Sequence, residues 1–281
     1  MSGSSIPPEH LSREVLAHYG SGYEAERLSK GTGQLVRART EELVKRLLPH
    51  PPAVVFDVGG GAGVYSCVLA REGYEVHLVD AMPLHVEQAR EASLKQPEHP
   101  LASINLGDAR ELKRAEASVD AVLMFGPLYH LTERSERIAA LREARRILRR
   151  GGLALAVGIT RFASVLDGLF RGLMDDPEFV RIVRRDLADG QHRNPSNHPA
   201  YFTTAFFHHP DELKGEMEEA GMRHERTLAI EGPGCLLQNF EEHWRDDGRR
   251  ARLLDAIRSI EAEPSLLGAS AHIMAVARKD P

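Results

Sequence analysis

Asp57, Gly59, Gly61 and Gly63 form the pattern D-x-G-x-G-x-G, and a further carboxylate, Asp80, follows 80 − 57 = 23 positions after the first. Alternating glycines let backbone approach a ligand closely. The dinucleotide pattern G-x-G-x-x-G is not met, because Val64 stands where its third glycine belongs. A carboxylate two residues before the first glycine is a poor neighbour for a pyrophosphate and a good one for an ammonium group. Asp80 can accept from both hydroxyls of a ribose. These preferences favour a nucleoside carrying an amino-acid cation over a phosphate-bearing nucleotide.

The elements that must position these groups are legible around them. Val54 to Val58 is an apolar, β-branched run and reads as a buried strand entering a tight turn. Val64 to Arg71 has helical spacing with Val64, Val68 and Leu69 facing inward, and Gly73 closes it as a C-terminal cap. Glu75 to Val79 is a second strand that stops at Asp80. Such a βαβ unit takes its ligand outside the carboxyl ends of the strands.

With these residues in place, the segment resembles motif I and the following acidic motif of class I S-adenosylmethionine-dependent methyltransferases, and the likeness runs from about Val54 to Ile159. The resemblance implies an α/β, Rossmann-like fold: a seven-stranded mixed sheet with helices on both faces, the last strand antiparallel between the fifth and sixth, and a lid insertion. It implies S-adenosyl-L-methionine as cofactor, with Asp57, Gly59, Gly61 and Gly63 against it and Asp80 on the ribose. Ala81 and Met82 would meet the adenine, Asp108 would accept from its amino group, and the backbone of Ala109 would meet a ring nitrogen. Phe125 and Gly126 are expected at the cofactor, and Tyr19, Tyr23 and Arg27 on an N-terminal helical segment folded over it. Residue by residue, other readings stand: tyrosines that pack, a solvated Arg27, Met82 as core filler and Asp108 as a turn residue.

Composition narrows the class. The chain has 281 residues, 42% hydrophobic and 27% charged, which is the balance of a folded globular protein. A formal charge of −5 supplies no global field for nucleic acid, so an RNA or DNA substrate is disfavoured. The two cysteines, Cys67 and Cys235, make no disulfide framework, no apolar run reaches the roughly 20 residues of a membrane span, and MSGSSIPPEH lacks a signal-peptide pattern. A cytoplasmic location is the expectation.

The remaining chain supplies a partner for this unit. Gln34 to Leu48 reads as an amphipathic helix, Pro83 opens another with Leu84 and Val86 early in it, and 101–106, 118–125 and 153–159 read as the third to fifth strands. The loop after the fourth strand carries Tyr129 and His130, the first residues placed to meet a substrate. His130 reads either as a general base or as a packing or capping residue. Thr132 to Arg150 is a helix with Thr132 as N-cap and four arginines in its last two turns, a dipole-matched end.

From 161 to 209 the sheet pattern stops. Helices are expected at 163–174 and 177–187, and the polar loop 190–199 follows. Long insertions of this kind serve as lids, and Phe162, Phe170, Tyr201, Phe202, Phe206 and Phe207 can wall an apolar acceptor pocket. His192, His198, His208 and His209 lack helix-spaced metal geometry, so no metal is expected; His198 or Tyr201 is a candidate proton acceptor. Asp211 to Gly221 is a helix capped by Asp211, 222–230 and 271–277 are the last strands, and helical turns span 240–261. The chain thus divides into an N-terminal cap (1–50), a cofactor-binding core (51–160), a lid (161–210) and the rest of the core sheet (211–281). The expected activity is methyl transfer to oxygen or nitrogen of a small-molecule metabolite. Alternatives are a peptide, protein or RNA acceptor, or a module that binds the cofactor without turnover. The sequence does not give the oligomeric state.

Overall fold

The computed structural model describes residues 28–280. Tyr19, Tyr23 and Arg27, and with them most of the N-terminal cap, lie outside the described residues. Helix α1 (Gly33–Leu47) leads into β1 (Val54–Val58), α2 (Val64–Arg71), β2 (Glu75–Asp80), α3 (Pro83–Leu94), β3 (Ser103–Leu106) and β4 (Val119–Met124). A single helical turn, α4 (Pro127–His130), precedes α5 (Arg134–Ile147) and the 13-residue β5 (Leu148–Thr160). The insertion holds α6 (Ala163–Arg171), α7 (Pro177–Asp189) and the short strands β6 (Gln191–His192) and β7 (Ala205–His208). Helix α8 (Pro210–Glu219), β8 (Met222–Ala229), α9 (Phe240–Arg245), α10 (Asp247–Ile260) and β9 (His272–Lys279) complete the order.

Strands β3, β2, β1, β4 and β5 lie side by side and parallel. β9 then pairs antiparallel with β5 and with β8, so the last strand sits between β5 and β8 as the resemblance implied. Side chains alternate across this sheet and two cores result. Phe56, Val122, Met124 and Ala275 face α5 and α8 through Leu141, Ile147, Leu213 and Met217. Val55, Leu123, Leu155 and Met274 face α1 and α2 through Leu43, Val44, Cys67 and Ala70.

Several local expectations are corrected. The inner face of α2 is Ser66, Cys67, Leu69 and Ala70, whereas Val64 and Val68 are only half-buried. Leu84 is exposed, and Val86 alone of the early pair in α3 is buried. Helix α5 starts at Arg134 with Glu133 at its N-cap, and the Thr132 carbonyl accepts from the side chains of Arg137, within the helix, and Gln191, in the insertion. Its basic end stops at Ile147, and its arginines are anchored: Arg145 donates to the Gly221 carbonyl, Arg146 to those of Leu112 and Arg114. Helix α8 begins one residue early, with Glu212 accepting the His209 N–H.

The insertion joins the sheet. β4 pairs with β5 only as far as Met124 and Ala156, while β9 occupies the opposite edge to Ile159. On the edge that β4 vacates, β7 pairs parallel with Ile159 and Thr160 through Phe207 and His208. β7 therefore lies beyond the tip of β4. Most of the expected wall of aromatics is spent inside the insertion: Phe207 stacks on His192 (4.6 Å), Tyr201 packs at a tilt on Phe179 (4.9 Å), and Phe170 is exposed.

One buried guanidinium ties these parts together. Arg137 of α5 is 1% exposed; its Nε and Nη2 fork onto the Glu216 carboxylate at 2.7–3.1 Å, and Nη1 donates to the Leu131 and Thr132 carbonyls at 2.9 and 3.0 Å. Its plane lies 3.6 Å from the Phe206 ring centroid. His208 Nε2 lies 3.2 Å from the same carboxylate. Burial alone would raise the Glu216 pKa, but His208 and Arg137 hold it below the ordinary carboxylate value. Burial pushes the His208 pKa down, against the opposing pull of the Glu216 carboxylate. Removing one member of a buried pair leaves an uncompensated charge. Arg137→Met is therefore expected to cost about 3–5 kcal/mol of stability in urea unfolding. The double variant Arg137→Met, Glu216→Met should recover at least half of that loss; equal instability of the single and double variants would show that the ion pair is not what the site depends on.

Candidate active site

A cleft of about 270 Å³ opens at the carboxyl ends of β1, β2, β3 and β4. Its floor is the glycine loop. Gly59 N–H donates to the Val79 carbonyl (2.7 Å), Gly61 N–H to Asp80 Oδ2 (2.9 Å) and Gly63 N–H to the Gly60 carbonyl (3.0 Å). Gly59, Gly61 and Gly63 have φ of +72°, +56° and +79°, a region that side chains other than glycine rarely enter. A Cβ on Gly59 would lie 2.7 Å from the Pro127 ring, whereas one on Gly61 would meet nothing within 4 Å. Gly59 therefore fixes the loop against the segment after β4, and Gly61 borders open space.

Asp57, at the end of β1, is 1% exposed and accepts from the Ser66 hydroxyl (2.6 Å). Burial pushes its pKa up to about 7, against the pull of the Ser66 hydroxyl and with a smaller push from the Asp80 charge. Asp80 is 6% exposed; its Oδ1 accepts from Met82 N–H (2.8 Å) and lies 3.1 Å from His85 Nδ1. Asp108 follows β3 through Gly107, whose N–H hangs on the Asp80 carbonyl (3.0 Å) and whose missing Cβ would lie 2.7 Å from Val79. The three carboxylates, Ala81, Met82, Ala109, Phe125 and Gly126 all line the one cleft. Tyr65 meets Phe125 edge-on at 5.6 Å, at the mouth of the loop after β4.

Tyr129 and His130 lie on the same cleft, with ring centroids 4.7 Å apart. A Cβ on Gly126 would be 3.4 Å from the Gly59 carbonyl and 3.8 Å from the Tyr129 hydroxyl. That hydroxyl thus sits where the two loops meet. Phe202 packs behind both rings at 6.2–6.3 Å, and Thr204, just before β7, joins the lining. His198 is not brought to the cleft: it is exposed, stacks on Tyr201 at 4.2 Å and accepts from Ala200 N–H (3.2 Å). Tyr201 donates its hydroxyl to Asp176, which pushes its pKa up to about 12 and makes it no proton acceptor. Among the described residues no cluster of three or more metal-ligating side chains occurs.

Sequence reasoning missed Ser66, His85, Arg110, Glu136 and Thr204. A signal existed for two of them: Ser66 is in the first turn of the helix after the glycine loop, and His85 in the first turn after Asp80, both within reach of a strand-tip carboxylate. Thr204 carries no local signal, because only the pairing of β7 with β5 brings it here.

A parallel sheet with a glycine loop and acidic strand tips defines a nucleoside-binding α/β protein. A family model described as "Methyltransferase domain" matches residues 56–156. The chain is 28% identical over 141 residues to the ubiquinone/menaquinone biosynthesis C-methyltransferase UbiE of Caulobacter vibrioides, covering 46% of this chain and 53% of that protein. It spans about half the length of the curated relatives it matches. In fold it is similar to a SAM-dependent methyltransferase from Methanosarcina mazei (TM-score 0.58, 16% identity, 85% of this chain and 97% of that one). An S-adenosylmethionine-dependent methyltransferase from Mesorhizobium loti gives a TM-score of 0.57 at 13% identity, over 87% and 99% of the two chains. Residues 56–156 thus match a methyltransferase domain, and the surrounding fold is similar to that of S-adenosylmethionine-dependent methyltransferases.

The residues present fit that cofactor. Asp57 is a carboxylate whose proton affinity is raised by burial, and an α-ammonium group would offset that with a positive charge; Asp80 offers acceptor oxygens beside the open space at Gly61. Two opposite pH trends follow. In the ligand-free protein the folded pKa of Asp57 exceeds its unfolded value, so its contribution to stability is complete below about pH 4 and is lost as pH rises through about 7. Binding of an ammonium requires the ionised form, so affinity for S-adenosylhomocysteine should rise about tenfold from pH 6 to 8 and then level off. Asp57→Asn should flatten both curves, measured by calorimetry and by thermal unfolding. Gly61→Val, strained at φ +56° and projecting into the open space, should weaken the same binding at least tenfold.

Proposed function

We propose that this protein transfers the methyl group of S-adenosylmethionine to a small-molecule acceptor. The observation that carries the proposal is the convergence of Asp57, Asp80 and Asp108 with the glycine loop on one cleft that Tyr129, His130 and Thr204 also line. When bound, the cofactor supplies an electrophilic sulfonium methyl.

What this chain's residues do follows from their places. Asp57 would hold the ammonium of the bound cofactor and Asp80 its ribose. Leu131, Thr132 and Thr204 line the same cleft and would meet the acceptor. Alignment of this kind supplies roughly 7–11 kcal/mol of a barrier. His130 takes the acceptor's proton on its imidazole, a contribution of about 10²- to 10⁴-fold, with the Tyr129 ring fixing its plane. The formal charge of −5 and the arginines anchored to carbonyls support a small acceptor over RNA.

The attacking atom is oxygen or nitrogen in the first reading. Carbon is the second, favoured by the likeness to the C-methyltransferase UbiE. Turnover of labelled cofactor against a metabolite library, with products fragmented by mass spectrometry, separates them. Binding without product from any acceptor would support a cofactor-binding module and overturn the proposal. Asp80→Ala should weaken S-adenosylhomocysteine binding at least tenfold by loss of the ribose acceptors; unchanged affinity would remove the nucleoside from this end of the cleft.

A further inference from the structure

Three elements of the insertion meet on one carboxylate oxygen outside the cleft. Asp186 of α7 is fully buried; its Oδ2 accepts from the Ser164 hydroxyl of α6 (2.5 Å) and lies 2.9 Å from His192 Nδ1 of β6. Gly190 makes the meeting possible. At φ +73° it ends α7 and turns the chain, and a Cβ there would lie 2.2 Å from the Phe207 carbonyl. The His192 ring, 1% exposed, stacks on Phe207 at 4.6 Å and 15°. Its Nε2 lies 3.2 Å from the Phe202 carbonyl. A carbonyl only accepts, so Nε2 carries a hydrogen, and Nδ1 shares one with the Asp186 carboxylate. The imidazole thus joins α7 to the main chain that leads into β7. Asp186 Oδ1 is buried without a hydrogen-bond partner. A buried acceptor left unmet disfavours folding, so packing alone does not account for a carboxylate here.

We propose that His192 is a positioning residue for the acceptor half of the cleft: fixed by Asp186 and by the Phe207 ring, it holds the Phe202 main chain and thereby sets the rings of Tyr129 and His130. Phe202 is the link. Its ring lies 6.3 Å from that of Tyr129 and 6.2 Å from that of His130, and two residues further on Thr204 lines the cleft. The proposal rests on the reading of Tyr129 and His130 as the residues that meet the acceptor. Arg137 and Gln191 hold the end of that segment by its Leu131 and Thr132 carbonyls. His192 acts instead on the side chains in its middle. A carboxylate on one edge and a ring on one face give the imidazole a single orientation, and its second nitrogen passes that orientation to Phe202.

The test compares the wild type with His192→Phe, His192→Gln and Phe202→Leu. Three quantities are measured: hydrogen exchange by mass spectrometry, NMR of isotope-labelled histidine rings, and calorimetric binding of S-adenosylhomocysteine. His192→Phe keeps a ring against Phe207 and removes both donors. It should raise exchange in residues 126–132 at least fivefold, with a smaller rise in the strands of the sheet, and shift the His130 ring resonances, while affinity for S-adenosylhomocysteine stays within twofold. His192→Gln, whose amide can still donate to the Phe202 carbonyl, should recover part of the protection. Phe202→Leu should reproduce the loss with His192 intact. Should His192→Phe fail to fold, Asp186→Asn takes its place with a smaller change in the same direction. Wild-type exchange and resonances in a folded variant overturn the proposal. So does a rise of equal size throughout the chain, which is the mark of a merely structural role. A wild type that does not bind S-adenosylhomocysteine overturns the cofactor reading of the cleft instead.

Discussion

Two buried carboxylates at the tips of neighbouring parallel strands are the constraint on which the rest of the structure depends. Asp57 and Asp80 are each less than a tenth exposed, and the charge of the second raises the proton affinity of the first. Such an arrangement costs folding free energy unless donors meet it. The donors are local: the Ser66 hydroxyl for Asp57, and the N–H groups of Gly61 and Met82 for Asp80. Gly61 makes the loop double back at positive φ to bring its N–H to Asp80. The glycine loop is thus a device for satisfying an anion as well as for approaching a ligand. What remains unmet at Asp57 is charge.

This explains why the cofactor half was legible in the sequence. Its parts are continuous along the chain from Val54 to Ala109, and each carboxylate follows directly on a strand whose apolar pattern is unmistakable. The order of β1, α2, β2, α3 and β3 leaves little freedom, because parallel neighbours and short connections place their carboxyl ends together. The antiparallel insertion of β9 was accessible only through the resemblance, since nothing in AHIMAVA distinguishes an antiparallel strand from a parallel one.

The acceptor half was less legible because its contacts join residues remote in sequence. The insertion's aromatics, read as a pocket wall, serve stacking among short elements: Phe206 takes the Arg137 guanidinium and Phe207 takes His192. Composition cannot tell an aromatic that faces a cavity from one that faces a cation. The histidines divide in the same way. His130 is at the cleft, His198 is outside it, and His192 is buried against Asp186, which also accepts from Ser164. The loop 190–199, expected as a flap, is held by Asn194: its side chain donates to the His198 carbonyl (3.0 Å) and accepts the His198 N–H (3.0 Å).

The two halves are joined at both ends of one short segment. At its start, Pro127 packs on Gly59, so the glycine loop sets where the segment leaves β4. At its end, the Leu131 and Thr132 carbonyls are held by Arg137, and Thr132 also by Gln191 at the root of the insertion. Tyr129 and His130 lie between these anchors and have the insertion's Phe202 against their rings. A change in the glycine loop on ligand binding would be passed to these rings through the Gly59–Pro127 contact. A change in the insertion would reach them through Arg137, Gln191 and Phe202. Because the anchors lie on different elements, neither the glycine loop nor the insertion alone fixes Tyr129 and His130. Their placement is a joint property of both.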